Sequence, residues 1–164
     1  MAFHAALART LVRDADQSGY RPTPMPRPFR VLFLCVGNSC QSQMAEAWLR
    51  HLGGDRFVVR SAGTEPRHLH PLATRAMQEA GVDIAAQRGK GVEAIQRESF
   101  DVCIALSAAA RDACPPLPHV ARIEVRGFDD PTWFEDDGGA DLDEFRRLRD
   151  ELRAFVQELV ASRA

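Results

Sequence analysis

The chain has 164 residues, of which 45% are hydrophobic and 27% charged, and its formal net charge is −2. That length fits one compact domain, and a charge without basic excess argues against nucleic acid as a partner. No apolar run approaches the ~18 residues that span a bilayer, and four cysteines without a secretory segment do not make a disulfide framework, so we expect a cytoplasmic protein without membrane association.

The first residues are predicted to stand outside the main domain. Within residues 1–21, Phe3, Leu7 and Leu11 recur every four positions, which predicts a short amphipathic helix; a frayed tail is the alternative. Residues 22–29 carry proline at every second position, which predicts an extended spacer. The predicted helix could dock on its own domain or join two subunits as a homodimer.

Strand-like and helix-like segments alternate over the main domain, residues 30–164. The predicted strands are VLFLCV (31–36), RFVVRSAG (56–63), FDVCIAL (100–106) and ARIEVRG (121–127); the predicted helices are SQMAEAWLRHL (42–52), PLATRAMQEAG (71–81) and LDEFRRLRDELRAFVQELVASR (142–163). This alternation predicts an α/β three-layer sandwich with a central four-stranded parallel sheet. Open α/β sheets bind ligands at the carboxyl ends of their strands, so the loop after the first strand is the candidate site.

That loop, CVGNSCQS, begins at Cys35 and leads into the first helix. The free N–H groups at a helix start, together with the helix macrodipole, favour a bound anion and a cysteine thiolate. We therefore expect the pKa of Cys35 to lie well below its free value of ~8.5. Gly37 and Asn38 tolerate the positive φ that lets N–H groups converge, and Ser42 could donate a hydrogen bond to the sulfur. A buried structural cysteine beside a glycine turn is the alternative.

The segment around Cys35 resembles the low-molecular-weight protein tyrosine phosphatases and the thioredoxin-coupled arsenate reductases built on the same fold. Their signature is a cysteine, five residues, then arginine and serine. The likeness continues through SAGTEP (61–66), DVCIALS (101–107), CPPLP (114–118) and GFDDP (127–131). The order and spacing look more like the arsenate reductase branch, and the resemblance implies the low-molecular-weight phosphatase-like fold.

The resemblance also implies a reaction and the residues that perform it. The Cys35 thiolate would attack a tetrahedral oxyanion, either arsenate or a phosphoester such as phosphotyrosine, with Ser42 supporting the sulfur; phosphate or sulfate would occupy the same loop. The implied oxyanion-binding residues are Val36, Gly37, Asn38, Ser39, Cys40 and Gln41. The implied general acid is Asp130, whose position the following proline restricts; a plain polar turn is the alternative.

One departure from the family signature concerns charge. Gln41 stands where the family carries its arginine, and glutamine keeps a donor but loses the charge that grips two oxyanion oxygens. Removing one preorganised donor typically costs on the order of 10²–10³ in rate. We therefore expect an arsenate reductase-like or phosphatase-like enzyme of weakened activity; the alternative is a degenerate protein that binds oxyanions or phosphoproteins without turnover.

A second departure concerns redox chemistry. By resemblance, the reductases pass oxidising equivalents from the nucleophile to one cysteine and then to a second. Here the first of these relay positions is Ser107 and the second is Cys114, so Cys114 is a possible redox residue, but a Ser107–Cys114 disulfide cannot form. By resemblance, Cys40 and Cys35 share a loop at a spacing that forms a protective disulfide in many phosphatases of the family. Alternatively an external thiol, from thioredoxin, glutathione or mycothiol, would resolve oxidised Cys35. No tightly bound cofactor or metal is expected, because no third ligand stands near the two histidines of the RHLH run.

Lys90 and Trp133 allow two interpretations each. By resemblance, Asn38, Glu46 and Ser61 match residues that surround a potassium ion in potassium-dependent reductases, and Lys90 stands where those relatives carry aspartate. Its ammonium would replace the ion, or it is a solvent-exposed lysine. Trp133, after the Asp-Pro pair, would wall a cleft for a phosphotyrosine ring or pack on the surface.

Overall fold

The computed structural model describes residues 27–133 and 141–163. The predicted N-terminal helix and residues 22–26 of the spacer lie outside the described residues. In chain order the helices and strands are β1 (Phe29–Cys35), α1 (Gln41–Gly53), β2 (Phe57–Gly63), α2 (Pro71–Glu79), β3 (Val102–Ala105), α3 (Ala108–Ala113), β4 (Ile123–Val125) and α4 (Leu142–Ala161). Short 3₁₀ turns lie at Gly54–Arg56 and Val92–Ala94.

The strands form one parallel sheet in the order β2-β1-β3-β4, which confirms the predicted α/β class. Side chains of β1 alternate between its faces. Val31 and Phe33 join the cluster that contains residues of α1, α2 and α4, whereas Leu32 and Leu34 join the cluster that contains Ala110 of α3. Burial on both faces explains why β1 is a continuous apolar run.

Three differences from the prediction have physical reasons. Strand β1 begins at Phe29, inside the segment assigned to the spacer, and its start is fixed where the Arg30 N–H donates to Asp101 Oδ2 at 2.8 Å. Helix α3 was not predicted, because six residues are too short for a periodic pattern; Ser107 caps it by accepting from the N–H of Ala110 at 3.1 Å. Strand β4 is shorter than predicted, and all three of its residues are exposed.

Helix α4 has the buried face that its periodicity predicts. Phe145, Leu148, Leu152 and Val156 are at most 2% exposed. The helix packs against α1 and α2, and Trp48 Nε1 of α1 donates to the carbonyl of Arg149 at 3.1 Å. This packing brings α4 beside the helix that begins at the candidate loop. No helix in the described part of the chain is long and apolar enough to cross a membrane.

Candidate active site

The loop between β1 and α1 is held from outside by the chain that follows β2. Backbone N–H groups of residues 64–70 donate to its carbonyl oxygens: Thr64 to Cys35 (3.2 Å), Glu65 to Val36 (2.9 Å), Arg67 to Gly37 (2.8 Å) and His70 to Ser39 (2.8 Å). In a trans peptide the N–H points opposite to the C=O. The N–H groups that share a peptide unit with these carbonyls therefore point away from residues 64–70, toward the opposite side of the loop. The Asn38 N–H is one of them and donates to Cys35 Sγ at 3.1 Å. This orientation suits an anion cradle.

Asn38 holds the loop in shape. Its φ is +45°, as expected, and its buried side-chain Nδ2 donates to Ser42 Oγ at 2.8 Å and to Ser61 Oγ at 2.9 Å. Its Oδ1 accepts from the Lys90 N–H at 2.7 Å. The positive φ of the loop lies at Asn38 and not at Gly37; a Cβ on Gly37 would lie 3.1 Å from a Ser39 oxygen, so glycine fits a tight space there.

The Cys35 sulfur lies at the carboxyl end of β1 between two hydrogen-bonding groups. Ser42 Oγ is 2.8 Å from Sγ, and the Asn38 N–H approaches from another side. The expected low pKa was wrong: burial raises the pKa of Cys35, these hydrogen bonds lower it, and the Asp130 carboxylate raises it. Cys35 is 2% exposed, and with Gln41 in the arginine position the loop brings no cation to offset burial.

A chain of polar contacts continues from Asn38 through Ser61 to Glu46 and Lys90. Buried Glu46 accepts a hydrogen bond from Ser61 Oγ and another from Arg50 Nη2 at 2.5 Å. The Lys90 ammonium lies 3.5 Å from Glu46 Oε2 and 3.3 Å from Ser61 Oγ. Lys90 therefore points its charge at the group of residues that the resemblance compares with a potassium site.

Asp130 lines a cleft together with Val36 and Gln41 of the loop. Its Oδ1 accepts from the Thr132 N–H at 2.9 Å and the Thr132 hydroxyl at 2.7 Å, which fixes the carboxylate. Its charge raises the pKa of both Cys35 and Cys40, whereas the neighbouring Asp129 side chain is 90% exposed. Asp130 and residues of the Cys35 loop therefore line one cleft.

A cleft of about 460 Å³ opens beside the loop. Its lining comes from the loop, the end of β3, the Asp-Pro segment and α4, and comprises Val36, Gln41, Ser107, Phe128, Asp129, Asp130, Trp133, Glu144 and Arg147. Trp133 is 68% exposed and lines the cleft at its surface. Gln41 is buried, and its Nε2 donates to the Phe128 carbonyl at 2.8 Å. No motif in the sequence indicated that hydrogen bond or the presence of Arg147.

The candidate redox cysteines lie in different parts of the core. Cys40 is 1% exposed in the same cluster as Cys35, and burial, with the charges of Asp130 and Cys35, raises its pKa well above the ordinary value. Cys114 is partly exposed and packs against the other cluster, beside α3. All four cysteines are free thiols. Within residues 27–133 and 141–163, no group of three His, Cys, Asp or Glu side chains could hold a metal ion.

Comparison with known families agrees with the site. The profile of the low molecular weight phosphotyrosine protein phosphatases matches residues 30–163. The chain belongs to this family. An arsenate reductase of Brevibacillus brevis is 40% identical over 129 residues, which cover 78% of this chain and 91% of the relative.

Solved structures of family members share the fold. An arsenate reductase in the phosphate-binding state is 32% identical with a TM-score of 0.67, covering 82% of this chain and 98% of that one. A thioredoxin-dependent arsenate reductase of Corynebacterium glutamicum is 30% identical with a TM-score of 0.61, covering 84% of this chain and 63% of that one. These matches confirm the resemblance, the fold and the general function, a cysteine-based enzyme that handles oxyanions.

Proposed function

We propose that this family member reduces arsenate, with Cys35 as the nucleophile. The observation that carries the proposal is the position of the Cys35 sulfur. It lies between Ser42 Oγ and the Asn38 N–H, at the carboxyl end of β1, and the Asp130 carboxylate is close enough to shift its pKa. A nucleophile held by donors beside a candidate acid is the arrangement that attack on an oxyanion requires.

The proposed reaction begins when the Cys35 thiolate attacks the arsenic atom of arsenate. An S–As bond forms, an As–O bond breaks, and the leaving oxygen departs as water after taking a proton, which Asp130 supplies when it is protonated. A second thiol then attacks the Cys35 sulfur. A disulfide forms as the S–As bond breaks, and its electron pair stays on arsenic, which leaves as arsenite. Two thiols are thereby oxidised and arsenic(V) is reduced by two electrons.

The source of the second thiol follows from the cysteines. Ser107 occupies the first relay position, so an external thiol compound is proposed as the reductant. Either that thiol attacks Cys35 directly, or Cys40 attacks first and the external thiol reduces the Cys35–Cys40 disulfide. Thioredoxin, glutathione and mycothiol are the candidates, and the thioredoxin-dependent relative favours the first of them.

A phosphatase activity is the second candidate function. The same thiolate would attack phosphorus in a phosphoester, and Asp130 would protonate the leaving oxygen. The exposed Trp133 at the cleft favours this candidate, because an aromatic ring there could stack on a phosphotyrosine. Without turnover, the same site would bind oxyanions or phosphoproteins, and Gln41 in place of arginine favours that outcome.

The proposal is tested with the purified full chain. Arsenate reduction is measured with thioredoxin, glutathione and mycothiol systems, and phosphatase activity with p-nitrophenyl phosphate. We expect arsenate reduction with at least one system, its loss in Cys35→Ser and a rate at least tenfold lower in Asp130→Asn. Asp129→Asn is the matched control and should retain activity, because that side chain is exposed to solvent.

Two further variants identify the second thiol. Cys40→Ser abolishes reduction if Cys40 attacks the Cys35 sulfur and leaves it intact if the external thiol attacks directly. Cys114→Ser is the control, and we expect full activity because Cys114 packs on the other hydrophobic cluster. Full turnover in Cys35→Ser would refute the nucleophile. Phosphate binding without any turnover would support the binding protein instead.

A further inference from the structure

The cleft beside the loop contains an arginine that comes from the last helix of the chain. Arg147 of α4 lines the same cleft as Gln41 and Asp130. It is the only cation among the described residues that line this cleft, whose carboxylates are Asp129, Asp130 and Glu144. A tetrahedral oxyanion that enters is therefore repelled by the carboxylates and attracted by one guanidinium.

The Arg147 guanidinium is not fixed by strong contacts. Its Nη2 is 4.0 Å from Asp129 Oδ2 and its Nε is 3.8 Å from Glu151 Oε1, both beyond hydrogen-bond distance, and the side chain is 60% exposed. The neighbouring arginines differ. Arg146 donates to Glu79 Oε2 at 2.8 Å, and Arg149 donates to a backbone carbonyl of α2 at 3.1 Å with a side chain 15% exposed. Arg147 is thus the arginine of this stretch that can turn toward a ligand.

The backbone that carries Arg147 is nevertheless anchored by neighbouring side chains in the core. Phe145 and Leu148, on either side of it in sequence, are at most 2% exposed in the core. The side chain can therefore move while its Cα stays at the cleft. A long flexible side chain on a fixed helix is suited to reach a small anion without rearranging the fold.

The loop itself lacks a positive charge. Gln41 is neutral, and its Nε2 already donates to the Phe128 carbonyl at 2.8 Å. The amides of the loop offer dipoles, but a dianion in a cleft of carboxylates needs a cation as well, and a guanidinium suits two oxygens of a tetrahedral oxyanion.

We propose that Arg147 binds the oxyanion from α4 and supplies the positive charge that the family otherwise keeps in the signature loop. The proposal rests on the proposed function, because it takes the loop beside Cys35 to be the anion site. It makes Arg147 a substrate-binding residue for arsenate or for the phosphoryl group of an ester.

The test measures the dissociation constant of inorganic phosphate for the full chain by titration calorimetry, together with the KM for arsenate. In Arg147→Gln we expect both to rise roughly tenfold or more, as loss of a charge-assisted contact implies, and in Arg147→Lys we expect a smaller rise. Arg122→Gln is the matched control, because Arg122 is an arginine exposed to a similar degree, 51%, and paired with Glu124 outside the cleft. This control should bind phosphate as the wild type does.

The outcomes separate the two proposals. Wild-type protein that is active, with unchanged phosphate binding and KM in Arg147→Gln, would overturn the role of Arg147 alone. Equal weakening in Arg147→Gln and Arg122→Gln would also overturn it, since that result reports the overall charge of the protein. Wild-type protein that neither binds phosphate nor turns over arsenate or p-nitrophenyl phosphate would overturn the proposed function and the role of Arg147 together.

Discussion

Restoring the signature arginine by Gln41→Arg should raise activity. One added preorganised donor at a developing anion is worth on the order of 10²–10³ in rate, about 2.7–4 kcal/mol. The bond from Gln41 Nε2 to the Phe128 carbonyl contributes about 1 kcal/mol, and one of the five guanidinium donors can replace it. If that bond were lost in full, the remaining gain would still be roughly 10- to 10²-fold in kcat/KM. The added guanidinium would extend into the cleft that Gln41 lines.

The assay compares kcat/KM for arsenate and for p-nitrophenyl phosphate in wild type, Gln41→Arg and the uncharged control Gln41→Met. The new cation should also lower the pKa of Cys35, so the pH midpoint of its alkylation by iodoacetamide should fall in Gln41→Arg and not in the control. The reasoning is refuted if Gln41→Arg folds with an unchanged melting temperature yet is no more active than the wild type.

Three further predictions concern the hydrogen bonds of Cys35, the packing against the loop and the start of β1. Ser42→Ala removes a hydrogen bond that lowers the pKa of Cys35, so the pH midpoint of Cys35 alkylation should rise. An unchanged midpoint would contradict the hydrogen bond between Ser42 Oγ and Cys35 Sγ. Gly63→Ala puts a Cβ 2.6 Å from a loop carbonyl and should lower the free energy of unfolding by about 1–3 kcal/mol in urea titrations, whereas Gly127→Ala, with open space around it, should be near neutral. Hydrogen bonding to Arg27 lowers the pKa of Asp101 to about 2, below its unfolded value of ~3.9, so its stabilising effect is present above about pH 4 and lost toward pH 2. The free energy of unfolding of the wild type should therefore approach that of Asp101→Asn as the pH falls from about 4 to about 2. A difference that stays constant over this pH range would contradict the lowered pKa of Asp101.

The sequence predicted the features that depend on local pattern. The continuous apolar run of β1 and the buried spacing of α4 follow from residue order alone, and so does the loop at the strand-to-helix junction. The exposed strand β4 and the six-residue helix α3 gave weaker signals. An exposed strand has no buried face to produce an apolar pattern, and a short helix depends on its cap, here Ser107, more than on its periodicity.

The chemistry of the site depended on contacts that residue order does not reveal. The pKa of Cys35 was predicted in the wrong direction, because burial is set by how α1 and α4 pack over the sheet rather than by the turn itself. Gln41 meets the carbonyl of Phe128, a residue 87 positions away, and Arg147 reaches the cleft from the last helix. Such contacts are created by the tertiary fold.

The central claim is that the loop after β1 holds a tetrahedral oxyanion against the Cys35 sulfur. The most direct test is a crystal structure of the full chain, determined from crystals soaked in inorganic phosphate. We predict a phosphate within hydrogen-bond distance of the N–H groups of residues 37–41, with phosphorus facing Cys35 Sγ and the Arg147 guanidinium turned onto its oxygens. An empty loop at a saturating phosphate concentration, or phosphate bound only elsewhere on the protein, would contradict the account.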